Sequence, residues 1–385
     1  MILAVGNGAF RIALVCMFPY AAVFAGDSVA GAQSSDSFSV SDVGVDAVAE
    51  TATEAREIAL ASGQREALDR LIRRLTLREH RLQIPELADA AIAPLVRGIE
   101  IEEEKTSSKR YLASLTVSFK KNEVRTLLRG NGIPFSETPS KPLLVLPVYE
   151  AAGARNLWDD SNPWWVAWQA RSERDSLVPL VIPVGDLTDI ATIGAQQALS
   201  GDDQPLAVIA RRYGAADVLV AHAILRHDLA AGIPRLSVTL HRHGSESNSI
   251  VVESFSGVSR TMVDGLLERA AEEVASQIEE NWKRLTLLRF EDEGMLSARV
   301  PLSGLVDWVE VRSRLSRAPE VSRVEILQVN REAAQVALHY FGSPQQLTVT
   351  LAQRDLDLVG EEGSWSVRLR EKRGASAGGN RAADE

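Results

Sequence analysis

With 385 residues, 45% of them hydrophobic and 24% charged, the chain has ordinary globular composition and the length for two or three domains. A formal net charge of −10 argues against nonspecific nucleic-acid binding, which needs Lys/Arg stripes to neutralise phosphates, and against docking on anionic lipid headgroups. Past the N-terminus, no apolar run reaches the ~20 residues that a membrane-spanning helix requires.

Arg11 precedes an apolar stretch over 12–25 that Pro19 interrupts and small residues close. Val23-x-Ala25 and Ala30-x-Ala32 offer cleavage sites, so residues 1–32 read as a secretory signal peptide. Cys16, the only cysteine, falls inside it, and Ala13-Leu14-Val15 lacks the pattern of a lipoprotein signal. The expectation is a periplasmic or secreted protein, cysteine-free once processed, with no integral membrane segment and stabilised by burial alone.

The predicted elements then fall into three modules. Over 38–132, a strand near 40–47 leads into Thr51-Ala-Thr-Glu54, a capping box for a long helix. Ala52, Ala55, Ala59, Gly63, Ala67, Leu71 and Leu75 recur at helical spacing, small enough early on for close approach to a sheet. Arg65, Arg70, Arg73 and Arg74 mark the other face, with Glu66, Asp69 and Glu79 interleaved as a solvated ion-pair surface. Pro85 is expected to start a second helix and Gly98 to end it. A hairpin around Lys105-Thr-Ser-Ser-Lys109 and a short helix to Arg129 complete the order β-α-α-β-β-α.

Gly/Pro-rich punctuation over 130–142 marks the boundary to a second module over 143–285. It opens with Leu143-Leu-Val-Leu-Pro-Val-Tyr149, an apolar run suited to a strand buried on both faces. A Trp-rich segment follows, then a strand over 177–184, helices over 189–199 and 204–213, strands over 217–225, 234–243 and 250–258, and a long amphipathic helix over 262–282. The third module, 286–370, reads β-α-β-β-α-β, with Ser303 and Ser343 as helix caps and 356–359 with 365–369 as an interrupted last strand. That order is the split unit of ferredoxin-like folds. Residues 371–385 are Gly, Ala, Ser and charge, the composition of a disordered tail. The fold class is therefore α+β, in three small sheet-and-helix modules.

Ala55-Arg-Glu-Ile-Ala-Leu60 running into Gln64-Arg-Glu-Ala-Leu68, Asn162-Pro-Trp-Trp-Val-Ala-Trp168, and Val178-Pro-Leu-Val-Ile-Pro-Val-Gly-Asp-Leu-Thr-Asp189 together resemble an uncharacterised family of proteobacterial envelope proteins, domain of unknown function 2066. The family carries no assigned activity. At fold level, the strand ending in Pro147 and Leu206-Ala-Val-Ile-Ala-Arg-Arg-Tyr-Gly-Ala-Ala-Asp-Val-Leu-Val220 are similar to the N-terminal domain of the TolB translocation protein and to the curli-secretion and penicillin-binding-protein-activator lipoproteins. That resemblance implies a mixed α/β middle module that binds other envelope proteins and catalyses nothing. The Trp-rich insertion departs from the pattern.

Four of the seven tryptophans, Trp158, Trp164, Trp165 and Trp168, lie within eleven residues. One reading makes them, with Asp159 and Asn162, a recognition surface whose indoles stack on sugars or fill a partner's pockets. The other makes them core, contributing large buried area. Asp159, Asp160, Asp186, Asp189, Asp202 and Asp203 crowd the loops without the spacing of a calcium site. His241-x-His243, with His222 and His227 on the strand before, lacks a third zinc ligand. Neither a nucleophile elbow nor a phosphate cradle occurs, and no cofactor or metal is expected. The expected function is non-enzymatic binding of another envelope protein. Glycan or peptidoglycan binding through the tryptophans is the alternative, and a hydrolase using Asp186 and Asp189 the second.

Overall fold

The computed structural model describes residues 36–159, 162–171, 176–227, 233–244, 250–257, 263–361 and 363–370. The expected signal peptide, Asp160 and the C-terminal tail lie outside them. Every element below belongs to one compact unit, which begins at Ser37. The architecture is α+β, with three sheets and their helices.

The first sheet is antiparallel in the order β1-β3-β2, from β1 (Ser39–Val48), β2 (Val96–Thr106) and β3 (Arg110–Phe119). Against it lies α1 (Ala52–Leu75), where Thr51 Oγ1 accepts from the Glu54 N–H at 3.2 Å. Ala55, Ala59, Gly63, Ala67, Leu71 and Leu75 form its buried stripe. A Cβ on Gly63 would sit 2.7 Å from both Leu115 and Val45, so the close helix–sheet approach needs glycine there. Arg74 departs from the expected solvated face: it is buried, and Nη1 donates to the Ser37 and Ser39 carbonyls.

The helix expected from Pro85 to Gly98 does not form. A 3-10 helix (Arg78–Gln83), a single turn α2 (Asp89–Ile92) and a 3-10 turn (Ala93–Leu95) stand in its place. Pro94 removes a helix donor, and Gly98 pairs with Ser118 in the sheet ladder instead. The short helix α3 (Lys121–Gly130) then buries Val124 and Leu128.

The central sheet runs β5-β4-β7-β8-β9, with β6 added beside the start of β4. β4 (Leu143–Ala151), β5 (Ala154–Asn156) and β6 (Leu180–Val181) precede β7 (Asp217–His227), β8 (Pro234–His243) and β9 (Ile250–Ser256). β4 and β7 are parallel, and β7, β8 and β9 antiparallel. Both faces of β4 are covered, which explains its unbroken apolar run. Leu143 and Val145 pack with α4 (Pro163–Gln169) and α8 (Val263–Leu285). Leu144, Leu146 and Val148 pack with α6 (Ala195–Ser200) and α7 (Asp203–Arg212). The single helix expected over 189–199 is two, α5 (Leu187–Thr192) and α6, because Ile193 is extended and Gly194 caps the second.

The third sheet has the order β11-β12-β10-β14-β13. Its elements are β10 (Glu293–Pro301), α9 (Leu305–Ser316), β11 (Val321–Val329), β12 (Ala333–Phe341), α10 (Pro344–Gln353), β13 (Leu356–Val359) and β14 (Trp365–Leu369). Ser343 and Gln346 form a capping box on α10. Gly304, not Ser303, caps α9, while the Ser303 N–H donates to Asp307. The last strand is a hairpin rather than one interrupted strand. A direct return after α10 would set it antiparallel beside β10, whereas β14 folds back and runs parallel to β10. Gly360, at φ +137°, makes that reversal; a Cβ there would meet the Ser364 carbonyl at 2.4 Å.

The sheets are joined through α8 and the segment before β4. Phe290 packs on Phe135 and Phe341 at 5.4 and 5.0 Å. Trp282 Nε1 donates to the Thr138 carbonyl, and Ser136 and Thr286 hydroxyls bond at 2.6 Å.

Candidate functional site

The Trp-rich segment is organised by Asn162. Its buried side chain caps α4, with Oδ1 accepting from the Trp164 and Trp165 N–H groups at 3.0 and 3.1 Å. Nδ2 donates to the Pro147 and Leu157 carbonyls. Every group of this amide works inside the fold, so Asn162 positions the indoles and presents nothing outward.

The four tryptophans separate into two kinds. Trp164 and Trp168 are fully buried, edge to face at 5.6 Å, in the core beneath α8. Trp164 Nε1 donates to the Ala221 carbonyl of β7 at 2.9 Å. These two cannot form a surface platform in this conformation, because one turn of α4 aims both at the sheet. Trp158 and Trp165 are half-buried, and their N–H groups are also engaged, with the Ile193 and Pro183 carbonyls. Asp159 is exposed, and its N–H donates to Asn156 Oδ1 at 3.0 Å.

Both indole N–H contacts run to one loop, 182–193, and that loop carries what sequence reasoning missed. Val184, Leu187 and Ile190 are 62%, 84% and 48% exposed. Trp158 underlies Gly185, whose Cβ position would be 3.3 Å from the ring. An aliphatic ridge thus stands beside two half-buried indoles. The i, i+3 spacing of Leu187 and Ile190 in a helix too short to bury two faces was the available signal.

The ridge sits on a fixed polar base. Asp186 caps α5, accepting from the Thr188 and Asp189 N–H groups and pairing with Arg212. The Asp189 N–H, with help from Arg212, holds the Asp186 carboxyl below its usual range. Asp189 lies one turn inside and is buried. Its Oδ2 accepts from the Gly185 N–H at 3.0 Å and the Tyr213 hydroxyl at 2.6 Å. That hydroxyl in turn accepts from the Val184 N–H. Burial, then the bond to Asp189, pushes the Tyr213 phenol up to about 12. Asp186 and Asp189 are therefore held by capping and by Arg212 and Tyr213. Asp202 caps α7 through the Gln204 N–H, and Asp203 opens its first turn.

The histidines do not converge. Strand alternation sets His222 and His241 on one face and His227, five residues from His222, on the other. His222 lies 3.2 Å from Glu150 Oε2, and burial draws its pKa down. His241 and His243 stack at 6.4 Å. Among the described residues no three His, Cys, Asp or Glu side chains could hold a metal ion. Nor, among them, is any helix long and apolar enough to cross a membrane.

The fold and this ridge define a multi-sheet α+β protein with a preformed apolar surface on its central sheet. Residues 39–137, the first sheet with its helices, match a domain of unknown function (DUF8605). This is a different designation from the family that the motifs resemble. No curated protein matches the chain. Among solved structures, the lipoprotein GNA1162 from Neisseria meningitidis is similar at 16% identity over 36% of this chain and 96% of its own, with a TM-score of 0.24. The PelC dodecamer from Paraburkholderia phytofirmans is similar at 14% identity over 36% of this chain and 87% of its own, with a TM-score of 0.22.

Proposed function

We propose that the protein is a non-enzymatic binding protein of the cell envelope, exported by its N-terminal segment, and that its second module holds another envelope protein on the ridge Val184, Leu187 and Ile190. The exposed ridge on a braced loop carries the reading. Large aliphatic side chains left in water on a fixed base favour association, since their burial is worth about 25 cal/mol per Å² and a braced loop loses little freedom on binding. Trp165 and Trp158 extend the surface at its margin. The engagement of Asp186 and Asp189 in capping and pairing supports binding over carboxylate hydrolysis. The burial of Trp164 and Trp168 supports protein binding over glycan stacking, since it leaves only Trp158 and Trp165 of the four indoles partly exposed.

The test is photo-crosslinking in living cells from a benzophenone amino acid at position 187. Position 82, on the first module and equally open, is the control. One recurrent envelope protein captured from 187 and not from 82, and lost in Ile190→Asp, supports the reading. Equal capture from both positions, or none from 187, overturns it.

A further inference from the structure

Where α10 approaches α8, the end of the central sheet that carries the starts of β4 and β7 is left open. The opening is a cleft of about 660 Å³. Leu143, Leu219 and Leu240 form its floor, Ile278, Trp282 and Leu285 one wall, and Val349 and Ala352 the other. The α8 wall runs from Gln277 to Leu285, which is about 12 Å of helix at a rise of about 1.5 Å per residue. The cleft is a trough, in the size range of pockets for one small molecule and at a junction between modules, where such pockets concentrate.

Its charges are matched internally. Arg242 pairs with Asp217, Lys141 with Asp355 and Arg370 with Asp357. The remaining polar lining is neutral: the hydroxyls of Ser140 and Thr348 and the amides of Gln277, Asn281 and Gln353. A charged occupant would have to break an existing pair or lie uncompensated among leucines, and both are costly. A peptide would bring backbone N–H and C=O groups in numbers that these few side chains do not satisfy. An aliphatic chain with an uncharged head meets neither obstacle.

We infer that the trough binds one acyl chain bearing an uncharged ester or amide head. The chain lies along α8 against Ile278, Trp282 and Val349, with its head among the neutral amides and hydroxyls. The site shares no residue with the ridge and does not depend on the reading given to it.

The test titrates the full chain with 1-decanoylglycerol, decanoate and decyltrimethylammonium, each below its micelle concentration. Calorimetry and tryptophan emission give the affinities. The glyceride is expected to bind about tenfold or more tighter than either charged ligand, equivalent to about 1.4 kcal/mol. Ala352→Phe, which fills the trough, and Leu285→Trp, at its half-exposed mouth, each weaken it about tenfold. Should Ala352→Phe fail to fold, Leu285→Trp decides alone. No binding of the glyceride, tighter binding of a charged ligand, or affinity unchanged in the folded variants overturns the inference. So does a neutral aromatic probe, N-phenyl-1-naphthylamine, binding where the glyceride does not.

Discussion

Lys283, near the end of α8, places its ammonium 2.8 Å from the carbonyl oxygen of Arg73, in the last turn of α1. The same group reaches the Thr76 carbonyl at 3.2 Å and the carboxylates of Glu279 and Glu280. A side chain only 1% exposed thus satisfies carbonyls that α1 leaves open and complements its dipole. Glu280 continues the link by accepting from the Arg78 N–H. One cation therefore fastens α8, on the central sheet, to α1, on the first sheet.

Replacing Lys283 with Met keeps the volume but takes the nearest cation from the buried Glu280, which keeps Arg81 at 3.5 Å, and removes the ammonium from the Thr76 carbonyl. The expected loss is about 3–5 kcal/mol, as for breaking a buried pair by removing one partner. Urea denaturation followed by tryptophan emission measures it. A loss below about 1 kcal/mol would mean that water replaces the ammonium and the two helices are held chiefly by apolar contact.

Glu320 makes a second junction pH-dependent. Its Oε1 accepts from Thr138, before β4, and from Thr350 on α10. Burial pushes the carboxyl up to about 7 from its ordinary 4.5, against the pull of those bonds and of Arg354. A raised acid favours folding fully below about pH 4.5, and that contribution is lost as pH rises through about 7, by about 3 kcal/mol in all. Glu320→Gln should therefore match the parent at pH 4.5 and exceed its stability at pH 8. Denaturation curves at the two pH values decide; equal stability at pH 8 would show the carboxyl to be compensated in its ionised form.

Tyr213→Phe keeps the ring and removes the hydroxyl that bridges the Val184 N–H to Asp189. Leaving those groups without their partner costs about 1–3 kcal/mol. The cost is expected locally, as faster hydrogen exchange at the Val184 and Gly185 amides with β4 and β7 unchanged. Unaltered exchange in the loop would show that Asp186 and Arg212 suffice to brace the ridge.

Trp164→Ala is expected to destabilise the chain by about 3–5 kcal/mol, the range for removing a buried aromatic. In the intact protein, quenching by acrylamide should spare the Trp164 and Trp168 emission and reach that of Trp165. A stable Trp164→Ala variant would contradict its place in the core.

Much of the secondary structure was legible because local chemistry dictated it. Thr51 and Ser343 have cap side chains, Pro163 and Pro344 follow caps, and the stripe from Ala55 to Leu75 repeats at the helical period whatever it packs on. The run 143–149 likewise announced a strand covered on both faces. Errors came where neighbours in space outweighed neighbours in sequence. Gly98 went to the ladder with Ser118, Arg74 turned inward to the Ser37 and Ser39 carbonyls, and β14 folded back beside β10.

The site divided along the same line. Sequence marked Trp158, Asn162, Trp164, Trp165 and Trp168 as a cluster, because their density on the chain is a local property. Which indoles face the core depended on where α4 met the sheet, and so on the Asn162 amide reaching Pro147, fifteen residues away. The ridge at Val184, Leu187 and Ile190 required Tyr213, from the end of α7, to fix the loop beneath it. Helix and strand periods arise from backbone geometry within a few residues, whereas exposure is a property of the closed surface and exists only once distant segments have packed.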